Sequence, residues 1–151
     1  MSDKKLQRAT FDLLKPKTYE FELEAPAGED PFLVELRDLT LSDVLSIDAA
    51  NPQPSPPVSD IRKDENGTFH NVHNFEDATY KAAREEWMRN RMTLLIVRAW
   101  ITDIPGDTDA EKCDAINTQL ATWARSGLWR AVEIITQGKE DAVRMRPFPT
   151  S

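Results

Sequence analysis

Two histidines, His70 and His73, stand in an H-x-x-H spacing with Glu76 and Asp77 just behind them. Imidazoles three residues apart beside carboxylates are the raw material of a zinc site. Such a site needs its ligands on one rigid face. This pair falls in a stretch of loop composition, so no metal is expected there. These are the only histidines in the chain, which leaves general acid–base chemistry short of groups. The one cysteine, Cys113, sits among Glu111, Lys112, Asp114 and Ala115 in a helical pattern. Nothing beside it would lower its pKa, so it reads as a small core residue. With no second cysteine there is no internal disulfide, which fits a reducing compartment. The sequence holds no G-x-S-x-G, no phosphate-cradling loop, no G-x-G-x-x-G and no H-E-x-x-H. No nucleophile, base and oxyanion donors assemble into a set. The expectation is therefore no catalytic residue, no cofactor and no metal ligand, which points away from an enzyme.

Four tryptophans carry a different chemistry: Trp87, Trp100, Trp123 and Trp129. Tryptophan is enriched where proteins grip one another. Trp123 recurs at core spacing and reads as packing. Trp87, Met88 and Met92 share an apolar arc of one long helical pattern. Trp100 is turned from the Met88–Met92–Leu95–Ala99 stripe by about 120° of helical rotation. Methionine side chains make adaptable binding surfaces. The candidate partner-binding residues are thus Trp87, Met88, Met92, Trp100, Ile101 and Trp129.

The elements that must position these side chains begin with an alternation. In TYEFELE (18–24), Tyr19, Phe21 and Leu23 oppose Glu20, Glu22 and Glu24. Period two with one polar face is a half-buried strand. APAGED breaks it, and PFLVELR (31–37) supplies a second strand with Phe32, Val34 and Leu36 on one side. Together, 18–37 reads as a β-hairpin. The preceding LQRATFDLLKP fits either an edge strand or a short helix that Pro16 ends. Thr40 followed by Asp43 resembles a capping box, and a first helix is expected over 41–50, burying Leu41, Val44, Leu45 and Ala49. Asn51 and Pro52 stop it.

Residues 51–74, with four prolines and no apolar periodicity, read as a Pro-rich flexible loop in which Asn66-Gly67 signals a turn. The helical part spans 75–138. A long second helix is expected from Phe75 to Ile101, capped by Asn74. Its LLIVRAWI segment (94–101) is apolar on every side except Arg98, so it lies at the centre of the fold or in an interface. Thr108 and Glu111 form a capping box for a third helix over 109–126, which Gly127 would end. A fourth helix is expected over 128–138, and 139–151 is a tail whose Pro147 and Pro149 forbid helix. The fold class is α+β in a single domain over 1–151: a small N-terminal antiparallel hairpin followed by a bundle of about four helices.

The 151 residues carry a net charge of −7. The small basic clusters lie near the ends, and no basic face emerges, which argues against nucleic acid. No apolar run approaches the length of a membrane helix, and MSDKKLQRAT lacks the apolar stretch of a secretory signal.

The order of these features resembles a known family. The hairpin in TYEFEL…FLVELRDLTLSDVLSI is followed by a variable Pro-rich excursion. Then come DATYKAAREEWMRNRMTLLIVRAWITDIPGDTDAEK and a closing helix pair ending at ITQG. That layout, with its L-x-L-x-D-V and a long helix running through R…W into a PG turn, is similar to the tail assembly chaperones of long-tailed bacteriophages and prophages. The resemblance covers residues 18 to 138. It implies a non-enzymatic protein of the host cell cytoplasm. Such a protein transiently binds the tape measure protein and keeps it soluble while tail tube protein polymerises around it. The implied partners are the tape measure protein and the tail tube protein, with a homo-oligomer also open. The alternative is a structural minor tail or connector protein of the particle. The family has no catalytic residues to carry over.

Overall fold

The computed structural model describes residues 5–137. The expected helix stop at Gly138 and the tail over 139–151 lie outside the described residues. The elements in chain order are β1 (Thr18–Leu23), β2 (Phe32–Arg37), α1 (Leu41–Ala50), β3 (Val58–Lys63), β4 (Phe69–His73), α2 (Ala78–Ala99), α3 (Asp109–Gln119) and α4 (Thr122–Gln137). A single 3₁₀ turn, Asp12–Leu14, precedes β1. The class is α+β, with four helices and two separate two-stranded antiparallel sheets among the described residues.

The first hairpin forms as its alternation demands. Tyr19 faces Leu36, Phe21 faces Val34 and Leu23 faces Phe32, so one face of β1–β2 is apolar. That face lies on α4, where Val34 and Leu36 are buried and Phe21 and Leu23 pack against them. α2 supplies the centre of the core through Leu94, Leu95, Ile96, Val97 and Ala99. Ile116 of α3 and Leu128 and Val132 of α4 close it. Leu36, Ile47, Ile96, Ile116, Leu128 and Val132 are the largest side chains sealed from solvent. Each contributes on the order of 2 kcal/mol by leaving water. The all-round apolar segment of the long helix is therefore the centre of the fold.

Arg98, the exception in that segment, ties three helices together. Its Nη2 donates to Asp109 Oδ2 at 2.7 Å and to Ser46 Oγ at 3.1 Å, and its Nε donates to Asp109 Oδ2 at 3.0 Å. Asp43 Oδ1 lies 3.9 Å from Nη1. A half-buried guanidinium needs such carboxylates, and its fork geometry lets it hold two helices at once.

Several expectations change. The 51–74 stretch is not a structureless loop: it holds the β3–β4 hairpin, paired from Val58↔His73 to Lys63↔Phe69 with an irregularity between Val58 and Asp60. Asn66-Gly67 is its turn. Gly67 has φ 82°, and Asp64 Oδ1 accepts from the Asn66 and Thr68 N–H groups. The strands were hard to read because neither face is buried, so no alternation of burial is imposed on the sequence.

α1 turns Ile47 inward and half-buries Val44, but leaves Leu41, Leu45 and Ala49 exposed, so only one of the four expected core positions is covered. α1 lies against α2, which holds it through Asn51 at its end and through Arg91 and Arg98, bonded to Asp48 and Ser46. α2 starts later than expected, capped by Asp77, whose side chain accepts from the Tyr80 N–H. Asn74 instead closes the hairpin base, donating its N–H to Pro57 O at 2.8 Å. At its other end α2 stops at Ala99, because Trp100 and Ile101 extend and join the edge of β2.

The third helix breaks early. Leu120 is extended (φ −89°, ψ 144°) and half-buried against the core, and α4 begins at Thr122. Gly127 is consequently inside α4 rather than ending a helix. Trp123 sits on α4, not in the core: it is 39% exposed and stacks on Phe32 at 6.1 Å.

Candidate functional site: an open groove between β1 and α4

The six residues marked as candidate partner contacts do not form one patch. Trp87 is half-buried against the end of α1, where its Nε1 donates to Asn51 O at 2.9 Å. Met88 is exposed on α2. Met92 and Trp129 do come together, lining a cleft of about 490 Å³ between α2 and α4 whose rim carries Glu86, Arg89 and Arg125. Trp100 and Ile101 lie at the edge of β2, with Ile101 exposed and Trp100 packed against the core.

A larger concavity lies elsewhere. A groove of about 860 Å³ runs between the end of β1 and one face of α4. Its walls are apolar at Phe21, Leu23, Trp123, Ala131 and Ile134, and charged at Glu22, Glu24 and Arg130. The sequence pattern creates it in two steps. β1 presents Phe21 and Leu23 toward α4 while Glu22 and Glu24 alternate outward. Gly127 then lets β1 and α4 touch, because a Cβ there would collide with Leu23 Cδ1. Leu23 and Gly127 themselves line the groove. Trp123, one of its lining residues, stacks on Phe32 of β2.

Sequence reasoning missed this groove. It assigned Trp123 to a core and Gly127 to a helix end. The signal that could have found it was the glycine itself, since an interior helical glycine often marks close packing.

The groups able to do covalent or acid–base chemistry are scattered. Burial, and then the charge of Asp109, push the Cys113 thiol up to about 11, so it is protonated at neutral pH. His70 Nε2 lies 2.6 Å from Asp64 Oδ2 in the turn of the second hairpin. His73 Nδ1 lies 3.3 Å from Pro56 O. An odd spacing on a strand sends the two imidazoles to opposite faces, so they do not converge on one point. Among the described residues no three or more His, Cys, Asp or Glu side chains group to hold a metal ion, and no helix is long and apolar enough to cross a membrane.

In a comparison with known proteins, no family model, curated protein or solved structure matches the chain.

Proposed function

We propose that this chain is a non-enzymatic assembly chaperone of the long-tailed phage type. In the host cytoplasm it binds the tape measure protein transiently and keeps it soluble while tail tube subunits polymerise around it. The observation that carries the reading is the open groove between β1 and α4. It offers an apolar floor, an aromatic step at Phe32 and Trp123 and a charged rim on an acidic body. An apolar groove with a charged rim suits reversible capture of another protein's apolar segment. The resemblance of the 18–138 layout to tail assembly chaperones supplies the identity of that segment.

Co-expression with the large helix-rich protein encoded beside it tests the reading, followed by size-exclusion chromatography with light scattering. The expected result is a soluble partner that comigrates with this chain. A partner that stays insoluble, with this chain forming a ring or fibre alone, overturns it.

One observation favours the second reading, a structural minor tail or connector protein. The β3–β4 hairpin packs chiefly on itself, and Val58, Ile61 and Phe69 are exposed on it. A lone two-stranded hairpin is marginally stable in water, so one that projects gains from a neighbouring subunit. Retention of this chain in finished particles would favour that reading, and loss from them would favour the chaperone.

A further inference from the structure

We infer that the occupant of the groove is an extended, basic segment of the partner that joins β1 as an added strand. The inference rests on the partner-binding reading above and specifies what the bound segment must look like.

β1 is the open edge of its sheet. The far edge of β2 is already flanked: Ile101 N–H donates to Glu35 O at 2.9 Å, and Leu36 faces Trp100 in an antiparallel bridge. On β1 the ladder fixes which peptide groups remain. Asp38 N–H donates to Lys17 O at 2.8 Å. The alternation of an antiparallel pair then turns the peptide groups of Tyr19, Phe21 and Leu23 toward β2 and those of Thr18, Glu20 and Glu22 outward. Among the described residues, no backbone or side-chain hydrogen bond from outside the strand pair reaches those outward groups. They form a ready template for another strand.

Charge selects the strand. Glu20 faces Glu35 directly across the ladder, a like-charge pairing that weakens a hairpin. Glu22 and Glu24 continue the acidic row onto the groove, whose lining carries one cation, Arg130, against these two carboxylates. A second copy offering its own β1 would bring the same carboxylates against these and be repelled. A strand with Lys or Arg at every second position relieves the repulsion instead. Its intervening residues turn to the other face, toward the groove floor at Trp123, Ala131 and Ile134. The segment recognised is therefore extended, alternates basic with apolar residues, and spans the 6 residues of β1. A chaperone reading such a segment would hold its client before the client becomes helical.

The test uses the full chain and a nine-residue acetylated, amidated peptide alternating Lys with Val, followed by backbone-amide NMR. One control replaces each Lys with Glu. A second is an Ala–Lys helix of the same charge. The expected result is binding of the Lys–Val peptide with at least tenfold slower hydrogen exchange at the Glu20 and Glu22 amides. Both controls should bind at least tenfold more weakly. Glu22→Pro removes one outward N–H at a position where an edge strand tolerates proline, and should weaken binding at least tenfold. Glu20→Lys with Glu22→Lys should do the same through charge and carries the test if the proline variant fails to fold. Failure of the Lys–Val peptide to bind, equal binding by the helical peptide, unprotected β1 amides or unchanged affinity in the folded variants overturns the inference.

The two readings fail separately. A Glu22→Pro variant that loses the peptide yet still solubilises the tape measure protein removes strand addition and keeps the chaperone. A wild-type chain that binds the peptide yet leaves that protein insoluble keeps strand addition and removes the chaperone.

Discussion

Trp87 and Asn51 hold each other by two reciprocal hydrogen bonds. The indole Nε1–H donates to Asn51 O at 2.9 Å, and Asn51 Nδ2–H donates back to Trp87 O at 3.1 Å. Asn51 is the C-cap of α1, and Trp87 lies in the middle of α2. The pair therefore clamps the end of one helix to the flank of another, just before the proline cluster leads the chain away. Trp87→Phe keeps the ring and loses one donor, and should lower stability by about 1 kcal/mol. Asn51→Ala should cost a similar amount. The double variant should lose less than the sum of the two, since each bond holds the two residues in place for the other. Urea denaturation of the four proteins measures the coupling. Strict additivity would mean the clamp contributes nothing as a unit.

Gly127 makes the second prediction because its two effects oppose each other. Replacing an interior helical glycine with alanine ordinarily stabilises a helix by about 1 kcal/mol. Here the new Cβ would collide with Leu23 Cδ1. Overpacking of this kind costs roughly 1–3 kcal/mol, so Gly127→Ala should destabilise on balance. Shortening the obstructing side chain by Leu23→Ala should make the Gly127 substitution neutral or favourable. Melting temperatures of the single and double variants decide the sign.

Asp43 gives the chain an acid-sensitive joint. Its carboxylate accepts from the Thr40 backbone N–H at 2.9 Å and from the Thr40 hydroxyl at 3.1 Å, and Arg37 lies beside it. The Thr40 backbone hydrogen bond, opposed by desolvation and helped by the Thr40 hydroxyl and the Arg37 charge, holds its pKa below the ordinary value. A lowered native pKa means that the unfolded chain binds the proton more readily. The contribution of Asp43 is thus complete above the unfolded value of about 4 and is lost as pH falls through the lower native value. Asp43→Asn should cost about 1 kcal/mol at pH 7, the ordinary worth of a capping interaction. The gap between the two proteins should close as pH falls below 4, which denaturant titrations at several pH values would reveal.

The parts of the fold legible in the sequence are those where one face is buried against another element. Tyr19, Phe21 and Leu23 alternate with glutamates because β1 packs one side on α4, and the hairpin bounds follow from that alternation. Leu94 to Ala99 read as a buried helix because α2 is surrounded there. Thr40 and Thr108 announce helix starts because capping is a local matter, settled within three residues. The β3–β4 hairpin stayed hidden for the converse reason. Val58, Ile61 and Phe69 are exposed and only Val72 is half-buried, so apart from Asn66-Gly67 the strands leave no pattern.

The sequence by itself determined that the chain folds as α+β, where the two helices capped by Thr40 and Thr108 begin, and that its long second helix runs through the core. The tertiary structure alone decided where Gly127 and Trp123 belong. A glycine near a helical stretch is either a stop or a point of close approach, and only the arrival of Leu23 from a strand about a hundred residues earlier distinguishes them. The same contact sets how β1 lies against α4, and the pairing of Trp100 and Ile101 with β2 decides that β1 keeps the open edge. Those features arise from contacts between residues distant in sequence, which no local spacing encodes.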